Sequence, residues 1–196
     1  MYEEIFKHRF PGRHAVLDIG CGRRKIPGAL GIDRDSSSDA DIVHDLNCFP
    51  YPFEDSFFDF INIDNVLEHL EDVVRVMEEV HRIGRPGSVV RIVVPYFRSK
   101  WAYTDPTHRH FFTSSSFNYF EPGNPYHERY HYSNVHFRIR KIIYDEHITG
   151  GVFHFLVKNT LAKKHDFFDS WGSMFFPMNT ITFYLETLKE YSRTMQ

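Results

Sequence analysis

The chain has 196 residues, of which 42% are hydrophobic, 25% charged and 17% aromatic, and its formal net charge is −3. This length suits a single domain over residues 1–196, and the slightly negative charge argues against a surface for polyanions, so nucleic acid is not an expected partner. Cys21 and Cys48 lack metal-type spacing, and no run of about 18 apolar residues occurs, so we expect a reduced, cytoplasmic protein that is neither secreted nor membrane-spanning.

Short apolar runs alternate with glycine turns and acids in the first half of the chain. Such runs predict five strands, at residues 15–19, 30–33, 41–46, 57–63 and 89–94. Only eight residues separate Gly22 from Gly31. A parallel crossover helix needs about ten or more, so the first crossover is predicted to be a loop.

A helix is predicted over residues 66–82. It has apolar residues at positions 66, 67, 70, 73, 74, 77 and 80, the spacing of one face of a helix, and the acids lie elsewhere. Ile83-Gly84-Arg85-Pro86-Gly87 ends the helix before the fifth strand. Strand, acid, strand, helix and strand in this order are typical of a doubly wound, mostly parallel α/β sheet.

The second half of the chain is rich in aromatic residues. Residues 96–134 lack periodicity and contain many aromatic residues and histidines, which predicts a lid inserted over the edge of the sheet. We expect a strand at 135–144, a helix at 151–165, a loop at 166–177 and a closing strand at 181–188.

A glycine turn follows the first strand, and an acid ends the second. Gly20 and Gly22 can take positive φ and allow a ligand to approach the backbone. Asp33 would accept hydrogen bonds from the two hydroxyls of a ribose. An ordinary tight turn is the alternative.

Six motifs occur in order over residues 15–95 and together resemble the class I S-adenosylmethionine-dependent methyltransferases. The motifs are Val16-Leu17-Asp18-Ile19-Gly20-Cys21-Gly22, Gly31-Ile32-Asp33, Asp45-Leu46, Asp59-Phe60-Ile61, Val66-Leu67-Glu68-His69-Leu70 and Arg85-Pro86-Gly87. The resemblance implies a Rossmann-like, seven-stranded sheet of order 3-2-1-4-5-7-6 with the last strand antiparallel. Here the first crossover helix is truncated. Asp105-Pro106-Thr107-His108 resembles a small subgroup associated with cell-surface polysaccharides or secondary metabolites.

The resemblance also implies S-adenosylmethionine as the cofactor and eight residues that bind it. Asp18, Gly20 and Gly22 would shape the pocket for the methionine part. Asp33 would bind the ribose. The adenine would lie between Asp45 and Leu46, and Asp64 and Asn65 would line the site.

Three histidines are candidates for catalysis. Methyl transfer to a hydroxyl oxygen needs an aligned acceptor and a base, and histidine titrates near neutral pH. His69 follows the fourth strand, and His108 and His110 lie in the predicted lid; structural hydrogen bonding is the alternative for each. These histidines and Asp105 could also supply metal ligands, but no strong metal-binding spacing is present, so no metal is predicted.

The sequence therefore predicts a methyltransferase that acts on a small polar acceptor, as an O-methyltransferase of a sugar or secondary metabolite. A methyltransferase of RNA or protein is one alternative. The other is a catalytically inactive, cofactor-binding interaction module. The oligomeric state is left open.

Overall fold

A seven-stranded sheet forms the centre of the computed structural model, which describes residues 15–146, 156–157, 159–160 and 164–189. The order is β3-β2-β1-β4-β5-β7-β6, with β7 antiparallel to both of its neighbours. This confirms the predicted sheet. Its strands are β1 (Val16–Ile19), β2 (Leu30–Asp33), β3 (Ile42–Val43), β4 (Phe58–Asp64), β5 (Gly84–Pro95), β6 (His136–Tyr144) and β7 (Thr180–Leu188).

The central strands are buried because both faces of the sheet are covered. β4 and β5 carry fully buried β-branched residues such as Ile61, Ile63 and Val90, as expected for parallel strands. β3 is shorter than predicted because Asp45 begins a turn. Its side chain accepts a hydrogen bond from the Asn47 amide at 3.0 Å, and its carbonyl accepts one from the Cys48 amide at 2.8 Å.

The single helix predicted over 66–82 is wrong, because the structure divides this stretch. A 3-10 turn spans Leu67–His69, Leu70 is extended, and the helix α1 covers Val73–Ile83. Asp72 caps α1, and its side chain accepts a hydrogen bond from the Arg75 amide at 3.0 Å. The break leaves His69 at the carboxyl edge of the sheet.

Between β1 and β2 the chain forms turns without a helix, as predicted. None of the helices that the structure describes is long and apolar enough to cross a membrane. The helix predicted at 151–165 lies mostly outside the described residues.

The aromatic segment 96–134 contains three short helical elements. They are α2 (Trp101–Thr104), a 3-10 turn (Asn118–Phe120) and α3 (Pro125–Tyr130). Phe112, Phe117 and Phe120 are buried in the main core, and the ring of Phe117 lies 4.7 Å from that of Phe183 on β7. Only the first part of the segment therefore borders the site described below.

The loop predicted at 166–177 is also wrong. Residues 165–175 form consecutive helical turns: α4 (His165–Phe167), a π-helical turn (Phe168–Gly172) and α5 (Ser173–Phe175). Phe168 is fully buried and packs against Tyr96 and Tyr144. Phe168 thus contributes to the core, whereas Phe167 and Phe175 in the same helical turns are exposed.

Candidate cofactor and acceptor site

Three cavities meet at the carboxyl edge of β1 and β4. We call them the acidic cavity (about 370 Å³), the glycine-turn cavity (about 720 Å³) and the histidine cavity (about 610 Å³). Asn65 lines all three. Its φ of 54° is unusual for a residue other than glycine, and such strain is concentrated at functional sites. Asn65 therefore lies where the three cavities join.

The glycine turn fits closely against the residue that follows Asn65. Gly20 and Gly22 have φ of 66° and 53°. A Cβ atom on Gly20 would lie 2.3 Å from Cγ2 of Val66, whereas one on Gly22 would meet nothing within 4 Å. At Gly20 the turn leaves no room for a side chain. The backbone of Gly20 therefore borders the acidic cavity and the glycine-turn cavity directly.

The acidic cavity has the donors and acceptors that a nucleoside needs. It contains five of the eight residues predicted to bind the cofactor: Gly20, Asp33, Asp45, Leu46 and Asn65. The Asp33 carboxylate accepts from the amides of Gly22 and Asp35, both at 2.9 Å. A carboxylate has about four acceptor positions, so positions remain for ribose hydroxyls.

The glycine-turn cavity contains the three other predicted residues, Asp18, Gly22 and Asp64. Asp18 is buried; its carboxylate accepts from the Ile26 amide and from Nδ2 of Asn62, both at 2.8 Å. Burial raises the pKa of Asp18, and these hydrogen bonds act in the opposite direction. The structure thus brings all eight residues to two adjoining cavities.

A buried arginine in the wall of the glycine-turn cavity was missed in the sequence. Arg91 on β5 is 1% exposed. Its guanidinium donates to Oδ1 of Asn62 at 2.9 Å and forms ion pairs with Glu146 at 2.9 Å and Asp64 at 3.2 Å. A charged residue within the apolar run 89–94 was the signal that could have identified it. Arg91 adds a buried positive charge beside Asp18 and Asp64 in a wall that Arg23 and Arg24 also line.

Two of the three candidate histidines lie together in the histidine cavity. The rings of His69 and His108 have centroids 4.6 Å apart. His110 is not among the residues that line the three cavities, and its Nε2 lies 2.8 Å from the carbonyl oxygen of Leu70. Its contact is that of a residue that braces the loop.

Hydrogen bonds show that Nδ1 carries a proton in both His69 and His108. Nδ1 of His108 lies 3.0 Å from the carbonyl oxygen of Ala102, which can only accept. Nδ1 of His69 lies 2.8 Å from the hydroxyl of Thr107, which donates its own proton to Asp105 at 2.7 Å. Both Nδ1 atoms therefore carry a proton, and in the neutral form of each ring Nε2 carries the lone pair. Burial lowers the pKa of His69, as does the neighbouring His108, which favours this neutral form.

Glu68 is the second residue that sequence reasoning missed. It is 1% exposed and lines the histidine cavity, and neither of its carboxylate oxygens has a hydrogen-bond partner among the residues that the structure describes. Burial raises its pKa to about 7. In a continuous helix Glu68 would lie among the acids on the solvent face; the 3-10 turn directs it inward instead.

Comparisons with known proteins bear on the fold and the family. A family model described as a methyltransferase domain matches residues 26–92. None of the curated proteins in the comparison matches the chain.

Several solved structures share the fold. An S-adenosylmethionine-dependent methyltransferase from Archaeoglobus fulgidus is 16% identical, with a TM-score of 0.57 over 95% of this chain and 91% of that chain. One from Mesorhizobium loti is 14% identical, with a TM-score of 0.55 over 93% and 96%. A complex between the Trm112 methyltransferase activator and a proposed methyltransferase from Haloferax volcanii gives 16% identity and a TM-score of 0.56 over 96% and 89%.

At these identities the solved structures show the fold alone, and the family model adds the relationship in sequence. The family model covers residues 26–92, from just after the glycine turn through most of β5. The sheet order is the one that the six motifs implied. The methyltransferase-domain match over residues 26–92 and the shared fold together support assignment to the class I S-adenosylmethionine-dependent methyltransferase superfamily.

Proposed function

We propose that this S-adenosylmethionine-dependent methyltransferase acts on a hydroxyl oxygen of a small polar acceptor, such as a sugar or a secondary metabolite. The observation that supports this proposal is the cluster of Glu68, His69 and His108 in the wall of a cavity next to the cofactor site. The histidine cavity and the acidic cavity share Asn65, His69 and Asp105. An acceptor in the histidine cavity would thus lie beside the cofactor.

The cofactor residues keep the roles that the family resemblance implied. When bound, S-adenosylmethionine supplies the methyl group and leaves as S-adenosylhomocysteine. Asp33 would accept hydrogen bonds from the ribose, and Asp45 and Leu46 would border the adenine. Asp18, Gly20 and Gly22 would shape the pocket for the methionine part, with Asp64 and Asn65 lining the site.

An oxygen acceptor explains the chemistry of the cluster. A hydroxyl must lose its proton as its oxygen forms the new bond to carbon, and an alcohol holds that proton tightly at neutral pH. Groups that take the proton or stabilise the resulting oxyanion accelerate such reactions. In their neutral forms His69 and His108 offer Nε2 lone pairs, and Glu68 offers a carboxylate without a hydrogen-bond donor in the described part of the chain. We propose that this cluster activates the acceptor and that His110 braces the loop.

Size and charge favour a small, uncharged acceptor. A cavity of about 610 Å³ lies within the range of about 300–1,000 Å³ that is typical of small-molecule sites. Trp101 lines this cavity and is half exposed, and the Lys100 ammonium lies 4.6 Å from the centre of its ring. Asp105 adds negative charge to its wall, and Glu68 adds more when it is ionised, which disfavours the phosphates of RNA.

The test is a methylation assay with a panel of sugars and phenols, followed by mass spectrometry of the acceptor. We expect a methylated hydroxyl product with the wild-type protein. His69→Gln and His108→Gln should lower its rate by about 10²–10⁴-fold, the usual contribution of proton-transfer groups. Affinity for S-adenosylhomocysteine should change little in both variants.

Other results would separate the alternatives. Methylation of RNA or protein at rates above those of all small acceptors would contradict the proposed substrate class. Tight binding of S-adenosylhomocysteine without turnover of any acceptor would favour a cofactor-binding interaction module. Unchanged rates in both histidine variants would remove the proposed role of the cluster.

A further inference from the structure

We propose that Glu68, His69 and His108 form a binding site for a divalent transition-metal cation in the wall of the histidine cavity. One ligand atom from each of the three side chains lies within 4.8 Å of the other two. The binding itself is independent of the proposed function. The role given to the cation, activation of the acceptor, rests on that function.

Glu68 gives the first argument for a cation. Its carboxylate is buried, and both oxygens lack a donor among the described residues. A buried polar group without a partner is costly, and native structures usually provide one. A cation at the cavity wall would be such a partner. Glu71, three residues along, contrasts with it: its side chain is 63% exposed and forms an ion pair with Arg109.

The histidines give a second, independent argument. A ligating imidazole commonly donates its other N–H to an oxygen, which fixes the ring and its tautomer. Both rings of the cluster have this contact, His69 to the Thr107 hydroxyl and His108 to the Ala102 carbonyl. Asp105 accepts a hydrogen bond from the Thr107 hydroxyl and so forms a second layer of contacts behind His69. Both Nε2 atoms are thereby left as free ligands.

The donor set indicates the class of metal. Two imidazoles and one carboxylate suit Zn²⁺ and related transition-metal ions, whereas Mg²⁺ prefers oxygen ligands. Three protein ligands leave coordination positions open, as in catalytic zinc sites. Because the three side chains line the histidine cavity, an acceptor hydroxyl there could occupy an open position. Its pKa would fall, so that it would release its proton to solvent water near neutral pH while the two Nε2 atoms and Glu68 hold the cation.

The site differs from the ligand set that the sequence suggested. His110 was grouped with His69 and His108, but its Nε2 contacts the Leu70 carbonyl. Glu68 takes its place. No metal was expected because the sequence lacks a metal-binding motif with regular spacing. Ligands that come from two separate loops form no such motif.

The experiment measures binding of Zn²⁺ and Co²⁺ to the full chain after treatment with a chelator. Isothermal calorimetry gives stoichiometry and affinity, and the visible spectrum of Co²⁺ reports coordination by nitrogen. We expect one site, with affinity at least about tenfold weaker in each of Glu68→Gln, His69→Gln and His108→Gln. Glu71→Gln is the matched control and should bind as the wild type does. Mg²⁺ should bind more weakly than Zn²⁺.

Two results would overturn the inference. One is the absence of stoichiometric Zn²⁺ or Co²⁺ binding to the wild type. The other is binding that is equally strong in Glu68→Gln and Glu71→Gln, which would place the ion on surface carboxylates. Glu68→Gln preserves side-chain shape, so it carries the test if a histidine variant fails to fold. Failure of metal binding with intact S-adenosylhomocysteine binding and methylation would leave the proposed function standing.

Discussion

The hydroxyl of Thr107 lies 2.8 Å from Nδ1 of His69, and it joins the loop after β5 to the turn after β4. The same hydroxyl donates to Asp105 at 2.7 Å. Backbone hydrogen bonds support this contact, since the Arg109 amide donates to the Glu68 carbonyl at 2.7 Å. Thr107 therefore sets the tautomer of His69 without itself needing to touch the acceptor, as a positioning residue does.

Thr107→Val should lower turnover by about 10–100-fold, the usual effect of removing a second layer of contacts. Without the hydroxyl, Nδ1 of His69 loses its acceptor, and the ring can rotate or change tautomer. Steady-state kinetics should show the loss mainly in kcat, with affinity for S-adenosylhomocysteine unchanged. Thr107→Ser keeps the hydroxyl and should restore most of the rate. Equal rates in Thr107→Val and Thr107→Ser would contradict this role.

Asp33→Ala should weaken binding of S-adenosylhomocysteine by at least about tenfold. Hydrogen bonds to a charged group contribute roughly 1.5–3 kcal/mol, and about 1.4 kcal/mol corresponds to a factor of ten in affinity. Asp33 also holds the Gly22 amide at 2.9 Å, so its loss loosens the glycine turn. Calorimetric titration measures the effect.

Two variants control the Asp33 experiment. Asp39→Ala removes an exposed acid that does not line the cavities, and it should bind normally. Asp33→Asn keeps one acceptor oxygen and should lie between wild type and Asp33→Ala. Unchanged affinity in a folded Asp33→Ala protein would remove the ribose assignment.

The lid predicted at 96–134 should respond to ligand only in its first part. Residues 98–111 border the histidine cavity, whereas Phe112, Phe117 and Phe120 belong to the core. Hydrogen exchange with and without S-adenosylhomocysteine should show slower exchange over 98–111, because loops that gate sites open easily. Protection over 112–120 should stay constant. Uniform protection that ligand does not change would mean that the whole segment is core.

The sequence allowed the sheet to be predicted but not the turn that shapes the acceptor cavity. Apolar runs ending at glycines and acids placed β1, β2 and β4 within one residue, because burial on both faces requires continuous apolar residues. The break at Leu70 was missed, since residues 66–82 keep helical spacing through it. That break moves Glu68 from the solvent face to the cavity wall.

Contacts between residues that are distant in the sequence could also not be predicted from sequence patterns. The ion pair of Arg91 and Glu146 spans 55 residues, and no local motif links the two. Likewise, the contact of His69 with Thr107 depends on how two loops approach each other across the sheet edge. Cofactor residues were easier to predict because they follow the strands directly, and the order of parallel strands brings their carboxyl ends together.

The last prediction compares Gly20→Ala with Gly22→Ala. Both glycines have positive φ, so each substitution should cost about 1–2 kcal/mol from backbone strain alone. Only Gly20→Ala adds a clash, because its Cβ would lie 2.3 Å from Cγ2 of Val66. Overpacking adds about 1–3 kcal/mol, so urea denaturation should show a larger loss of unfolding free energy for Gly20→Ala.

A second substitution tests the cause of that difference. Val66→Ala removes the two methyl groups that meet the new Cβ. In the double variant with Gly20→Ala, part of the extra destabilisation should be recovered, whereas the double variant with Gly22→Ala should show additive losses. Cofactor affinity should follow the same order, because Val66 lines the acidic cavity and would be displaced into it. Additive losses in both pairs would show that Val66 does not restrict the glycine turn.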